Sequence, residues 1–207
     1  MKTFTKEMQD NITPDAAFDL LKEGNERFVS NSTANRNLLE QADETSGGQH
    51  PFAVILSCID SRTSSEHIFD LGFGDAFNVR IAGNIINEDI LGSMEFGCKA
   101  AGSKVIAVLG HSGCGAVKGA CDNVELGNLT GLLTKICPAV DDEKTVDQDR
   151  SSANPEFVKK VTILNVKKVI DDIQAKSPII KEMIDNNEVK IVGGYHELAT
   201  GKVAFDI

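Results

Sequence analysis

The sequence predicts an α/β fold, with a largely parallel central sheet flanked by helices and an N-terminal helical arm. Two observations carry this. Phe52-Ala53-Val54-Ile55-Leu56-Ser57 and Lys104-Val105-Ile106-Ala107-Val108-Leu109-Gly110 are short continuous apolar runs rich in β-branched residues, the pattern of strands buried on both faces. Helical patterns separate these runs, and strand-helix alternation closes a sheet through parallel crossovers. At 207 residues the chain is expected to form one domain, with residues 1–50 as arm and connection and 51–207 as the α/β core.

Taken in order, Thr13-Pro14-Asp15 is a helix start: a capping hydroxyl, a proline at the first helical position and an acid facing the positive end of the dipole. Ala17, Leu20, Leu21 and Phe28 then share one face, which predicts a helix over 14–29. Residues 30–50 are polar, without either period, and read as a surface connection. Besides the two strands above, 77–81 and 189–193 carry strand patterns, and helices are predicted at 88–101, 115–121, 125–139 and 156–176. Residues 141–154 are acidic and aperiodic, a loop.

The charge balance excludes some partners. With 31 acidic against 21 basic side chains, the formal charge of −10 repels phosphate backbones and anionic membrane surfaces. No stretch approaches the roughly 20 apolar residues of a membrane span, and the start Met1-Lys2-Thr3-Phe4-Thr5-Lys6-Glu7 has no apolar core of an export signal. Nucleic acid and membrane are therefore not expected partners. Five cysteines, an odd number in a chain too large to need disulfide staples, point to reduced thiols or metal ligands and to the cytoplasm.

Cys58 directly follows one buried strand, and His111-Ser112-Gly113-Cys114 directly follows another. In a parallel sheet both groups emerge at the same carboxyl edge and can converge. Two thiolates and an imidazole suit zinc, and three protein ligands leave the fourth tetrahedral position open, as in a catalytic site. Taken singly, Cys58 or Cys114 reads as a core thiol, as do Cys98, Cys121 and Cys137. His50, His67 and His196 read as surface or hydrogen-bonded histidines. Asp60 and Arg62, two and four residues past Cys58, read in isolation as a surface ion pair or a helix cap. The glycine-rich 110–118 lacks the G-K-[ST] ending of a phosphate loop, and Gly72-Phe73-Gly74 lacks the third glycine of a dinucleotide fingerprint.

The combined pattern C-I-D-S-R at 58–62, R-I-A-G-N at 80–84 and G-H-S-G-C-G at 110–115 resembles the β-class carbonic anhydrases over about residues 13–205. The resemblance implies zinc on Cys58, His111 and Cys114, with Asp60 and Arg62 as the catalytic carboxylate and its arginine. The implied reaction is reversible hydration of carbon dioxide to bicarbonate, since zinc lowers the pKa of water from roughly 16 to about 7. It also implies a substrate pocket using Gln49, Phe77, Ala82, Phe96 and Gly113, and a homodimer or tetramer with active sites near the interface. Phe96 stands where the plant-type branch carries a tyrosine. Members that close their site by moving the aspartate onto the metal share a tryptophan three residues before the first cysteine. Here that residue is Ile55, and the chain has no Trp. The resemblance therefore implies the open-site branch, with Asp60 held by Arg62. Two other readings stay open: a carbon disulfide or carbonyl sulfide hydrolase on the same scaffold, and a catalytically silent, zinc-stabilised assembly protein.

Overall fold

A computed structural model describes residues 3–207; Met1 and Lys2 of the opening segment lie outside the described residues. Five strands, β1 (Ala53–Ser57), β2 (Ala76–Arg80), β3 (Val105–His111), β4 (Lys190–His196) and β5 (Val203–Ala204), form one sheet in the order β2-β1-β3-β4-β5. Every pairing is parallel except β4 with β5, a short antiparallel edge. The central strands β1 and β3 are buried along their whole length, as their unbroken apolar runs require.

Side chains alternate between the two faces of the sheet. Val54, Leu56, Ile106 and Val108 pack against α5 (Glu88–Glu95), α9 (Pro155–Lys176) and α10 (Pro178–Asp185). Ala53, Ile55, Val105, Ala107 and Leu109 pack against α2 (Pro14–Val29) and α4 (Ser65–Ile68). A third apolar cluster covers the carboxyl edge, where α6 (Gly115–Cys121), α7 (Gly127–Leu133) and α8 (Cys137–Asp142) meet the first turns of α9. Among the described residues no helix is long and apolar enough to cross a membrane.

Helix ends follow the sequence signals. Thr13 accepts from the Ala16 N–H and Pro14 opens α2, which spans the expected 14–29. Asn154 caps the first turn of α9 and Pro155 opens it. Several expectations need correction. The 30–50 connection contains a helix, α3 (Leu38–Glu44), capped by Asn37. A further helix, α1 (Lys6–Asn11), precedes α2. Each buries one polar residue rather than an apolar face: Gln41 accepts from the Phe73 N–H, and Gln9 donates to the carbonyls of Pro51 and Ala101. No hydrophobic period marks such helices.

The helix expected over 125–139 is divided between α7 and α8, and Pro138, which lacks an N–H, sits in the first turn of the second. The helix expected over 88–101 leaves α geometry at Phe96–Ala100, a π turn that brings Gly97 against Val54 and Phe77. The loop expected from 141 begins after Asp142. It is built round Glu143, whose buried carboxylate accepts from the Thr145 and Val146 N–H groups and from Arg150.

Candidate functional site

Parallel pairing places the ends of β1 and β3 side by side, so Cys58, one residue past β1, lies beside His111, the last residue of β3. Gly113, at φ 65°, lets the chain turn back so that Cys114 begins α6. The two Sγ atoms are 3.9 Å apart, and the donor atoms of Cys58, His111 and Cys114 all lie within 4.8 Å of one another. All three side chains are buried.

The environments of the two thiols differ in sign. A hydrogen bond from Cys114, working against burial and helped by the Gly83 N–H, lowers the Cys58 thiol well below the ordinary thiol range. Donating that bond, together with burial, pushes the Cys114 thiol up. The His111 Nδ1–H faces the Ser112 carbonyl at 3.1 Å, which leaves Nε2 as the lone-pair nitrogen. That Nε2 is buried and has no hydrogen-bond partner. A buried orphan nitrogen between two polarisable sulfurs fits a borderline cation such as zinc, since buried polar atoms are otherwise paired.

The carboxylate beside this cluster is turned toward its arginine. Arg62 donates from its N–H (3.0 Å) and Nε (2.9 Å) to Asp60 Oδ1 and from Nη2 (2.7 Å) to Oδ2. This bidentate pair, opposed by partial burial, holds the Asp60 carboxyl well below the usual carboxylate range. The turn that carries Asp60 is itself pinned. Arg80 donates to the carbonyls of Cys58 (3.0 Å) and Asp60 (2.6 Å), and the Thr63 hydroxyl reaches the same two carbonyls.

The carbonic anhydrase family model matches residues 53–203. Carbonic anhydrase 2 of Mycobacterium tuberculosis is 36% identical over 200 residues, covering 93% of this chain and 92% of the relative. The chain belongs to the carbonic anhydrase family. A carbonic anhydrase of Mycolicibacterium smegmatis is 32% identical over 195 residues, covering 93% of each chain. The fold is that of the β class: the β-carbonic anhydrase CafA of Aspergillus fumigatus superposes with a TM-score of 0.72 at 23% identity, over 92% of this chain and 89% of that one. The protein is a carbonic anhydrase, a lyase.

Within this carbonic anhydrase, Cys58, Asp60, Arg62, His111, Gly113 and Cys114 come together at the carboxyl edge, and Ala82 lies in the turn Ala82–Asn84, whose Gly83 N–H faces Cys58. The other expected pocket residues do not reach the cluster within one chain. Phe77 stands in register with Val54, four residues before Cys58, or about 13 Å along the strand. Phe96 packs edge-on against it with ring centroids 6.0 Å apart, and it is 59% exposed. Gln49 is exposed, ahead of β1 and beside Gly74.

Cys98 and Cys121 are core thiols as expected, while Cys137 is half-buried with its thiol on the Leu133 carbonyl. His67 is exposed and His50 half-buried, but His196 is neither at the surface nor hydrogen-bonded at Nδ1. It pairs in register with His111, and burial, with the neighbouring His111, lowers it to about 4. Sequence reasoning gave no structural role to Gly83, whose φ is 67° and whose carbonyl accepts from Asn165. Its signal was the A-G-N step of the second motif.

Proposed function

We propose that this enzyme hydrates carbon dioxide reversibly to bicarbonate and a proton, with zinc held by Cys58, His111 and Cys114. The observation that carries the reading is the buried three-donor cluster beside a carboxylate clamped by Arg62. Zinc, when bound there, supplies a Lewis acid that lets water ionise near neutral pH.

The chain's own residues orient the reactants. Asp60 is ionised and has lone pairs beyond those that Arg62 occupies, so it accepts a hydrogen bond from the attacking oxygen and aims that oxygen at the carbon of carbon dioxide. Arg62 prevents the carboxylate from swinging away, which supports the open-site arrangement. Ala82 and Gly113 border the site, and Gln49, Phe77 and Phe96 complete an apolar substrate pocket from a second copy of the chain. The distance of those three residues from the cluster supports that division. So do the exposed apolar side chains Leu38, Leu39, Phe73 and Phe96, which a dimer or tetramer would cover. Reduced cysteines, free in every case among the described residues, support a cytoplasmic enzyme.

Stopped-flow hydration of carbon dioxide by metal-verified protein, run beside a sulfide-release assay with carbonyl sulfide and carbon disulfide, tests the reaction. Fast hydration with negligible sulfide release is expected, and the opposite result would assign the sulfur substrates.

A further inference from the structure

Ser112, between the two ligands of the His111–Cys114 loop, uses every polar group it has. Its carbonyl faces His111 Nδ1 at 3.1 Å, and its N–H donates to the His196 carbonyl at 2.9 Å. Its hydroxyl donates to Glu197 Oε1 at 2.7 Å and accepts from the Leu198 N–H at 2.9 Å. With Glu197 Oε1 accepting from the Ser112 hydroxyl, the direction of that proton is set and the Ser112 oxygen lone pairs are left to Leu198.

Glu197 itself sits in a braced turn between β4 and β5. Its N–H donates to the Lys202 carbonyl at 2.9 Å, and its carbonyl accepts from Gly201 at 2.8 Å. The ligand loop has less of its own to hold it, since Gly113 is exposed, has no side chain and lies at positive φ.

We propose that Glu197 is a positioning residue for the metal centre: through the Ser112 hydroxyl it fixes the peptide whose carbonyl holds His111 Nδ1–H, and so keeps Nε2 presented to the metal. The proposal rests on the zinc reading above. Outer hydrogen bonds of this kind orient a metal-binding imidazole and select its tautomer, and losing one typically weakens metal binding about 10–100-fold. Glu197 contributes through geometry, 85 residues along the chain from Ser112.

The test is the zinc dissociation constant of folded apoprotein, measured by chelator competition, together with the NMR signal of His111 Nδ1–H in the zinc-loaded form. Glu197→Leu and Ser112→Ala should each weaken zinc binding about 10–100-fold and broaden that signal. Glu197→Gln keeps an acceptor oxygen and should stay within a few-fold of the unmodified protein. The Ser112→Ala/Glu197→Leu double variant should bind no more weakly than the worse single, because both act on one path. Lys202→Ala, an exposed side chain in the same turn, should change nothing.

A role confined to bracing the turn would lower the melting temperature and leave zinc affinity intact. Unchanged affinity in folded Glu197→Leu overturns the proposal, as do equal losses in the Gln and Leu variants or additive losses in the double variant. Should Glu197→Leu not fold, unchanged affinity in Ser112→Ala has the same force. No zinc binding by the unmodified protein would instead refute the metal-centre reading, and this proposal with it.

Discussion

Replacing Gly83 by alanine tests how closely the turn behind the cluster of Cys58, His111 and Cys114 is built. Gly83 lies at φ 67°, a left-handed conformation that costs an L residue roughly 1–2 kcal/mol. A Cβ there would meet Ile136 Cδ1 at 2.5 Å and Ala116 Cβ at 3.2 Å. Ile136 is fully buried and cannot swing out, so overpacking adds about 1–3 kcal/mol. The smaller unfolded-state entropy of alanine returns about 0.4–1 kcal/mol. The net loss is about 1–5 kcal/mol, a large share of the roughly 5–15 kcal/mol of a typical domain. Because the Gly83 N–H faces Cys58 and its carbonyl accepts from Asn165, zinc retention should fall as well. Gly92, exposed in α5 with nothing within 4 Å of an added Cβ, is the control: alanine there should be neutral or stabilise by up to about 1 kcal/mol. Urea unfolding of both variants, with zinc content measured on the same samples, decides. A Gly83→Ala loss below about 1 kcal/mol with full zinc would refute the packing argument.

Asp60→Asn should keep fold and zinc but lose most hydration activity, because an amide cannot take its place as an ionised acceptor; near-normal turnover would remove Asp60 from the mechanism. Asp70→Asn should cost about 3 kcal/mol at pH 7, because the carboxylate is buried between Arg27 and Arg36 and a neutral amide would remove the charge that both guanidiniums face. Burial raises the Asp70 carboxyl, but bonds from Arg27, the Ala34 N–H and Arg36 outweigh it, and the net shift is downward. A carboxyl lowered on folding stabilises fully above its unfolded pKa of about 3.9, and that contribution fades as pH falls through the folded value. Unfolding curves of wild type and Asp70→Asn should therefore converge below about pH 4; a constant gap down to pH 2 would contradict this. Phe96→Glu should shift the protein toward monomer in light scattering and lower activity, whereas an unchanged assembly with full activity would remove Phe96 from the interface.

What the sequence made legible was whatever depends on continuous apolar runs or on local spacing. β1 and β3 are buried on both faces, so their residues carry no polar alternation and stand out. The cluster of Cys58, His111 and Cys114 was readable because parallel strands put their carboxyl ends together, and Asp60 with Arg62 because the pair closes within four residues. Helices anchored by a single buried amide, as at Gln9 and Gln41, left no pattern to read. Leu39 even advertises an apolar face where the chain is 82% exposed. Contacts between distant segments were equally silent. Nothing near Ser112 announces Glu197, and nothing near Cys58 announces Asn165 behind Gly83. The pocket residues Gln49, Phe77 and Phe96 were named from resemblance, and a single chain leaves them away from the cluster.

The central claim is that carbon dioxide hydration depends on zinc held by Cys58, His111 and Cys114. Its most direct test is a stopped-flow titration in which metal-free protein receives zinc in measured steps. Hydration should rise linearly and saturate at about one zinc per chain, while a Cys58→Ala/Cys114→Ala variant stays inactive and zinc-free throughout. Full activity before any zinc is added, or an active, zinc-retaining double variant, would contradict the account.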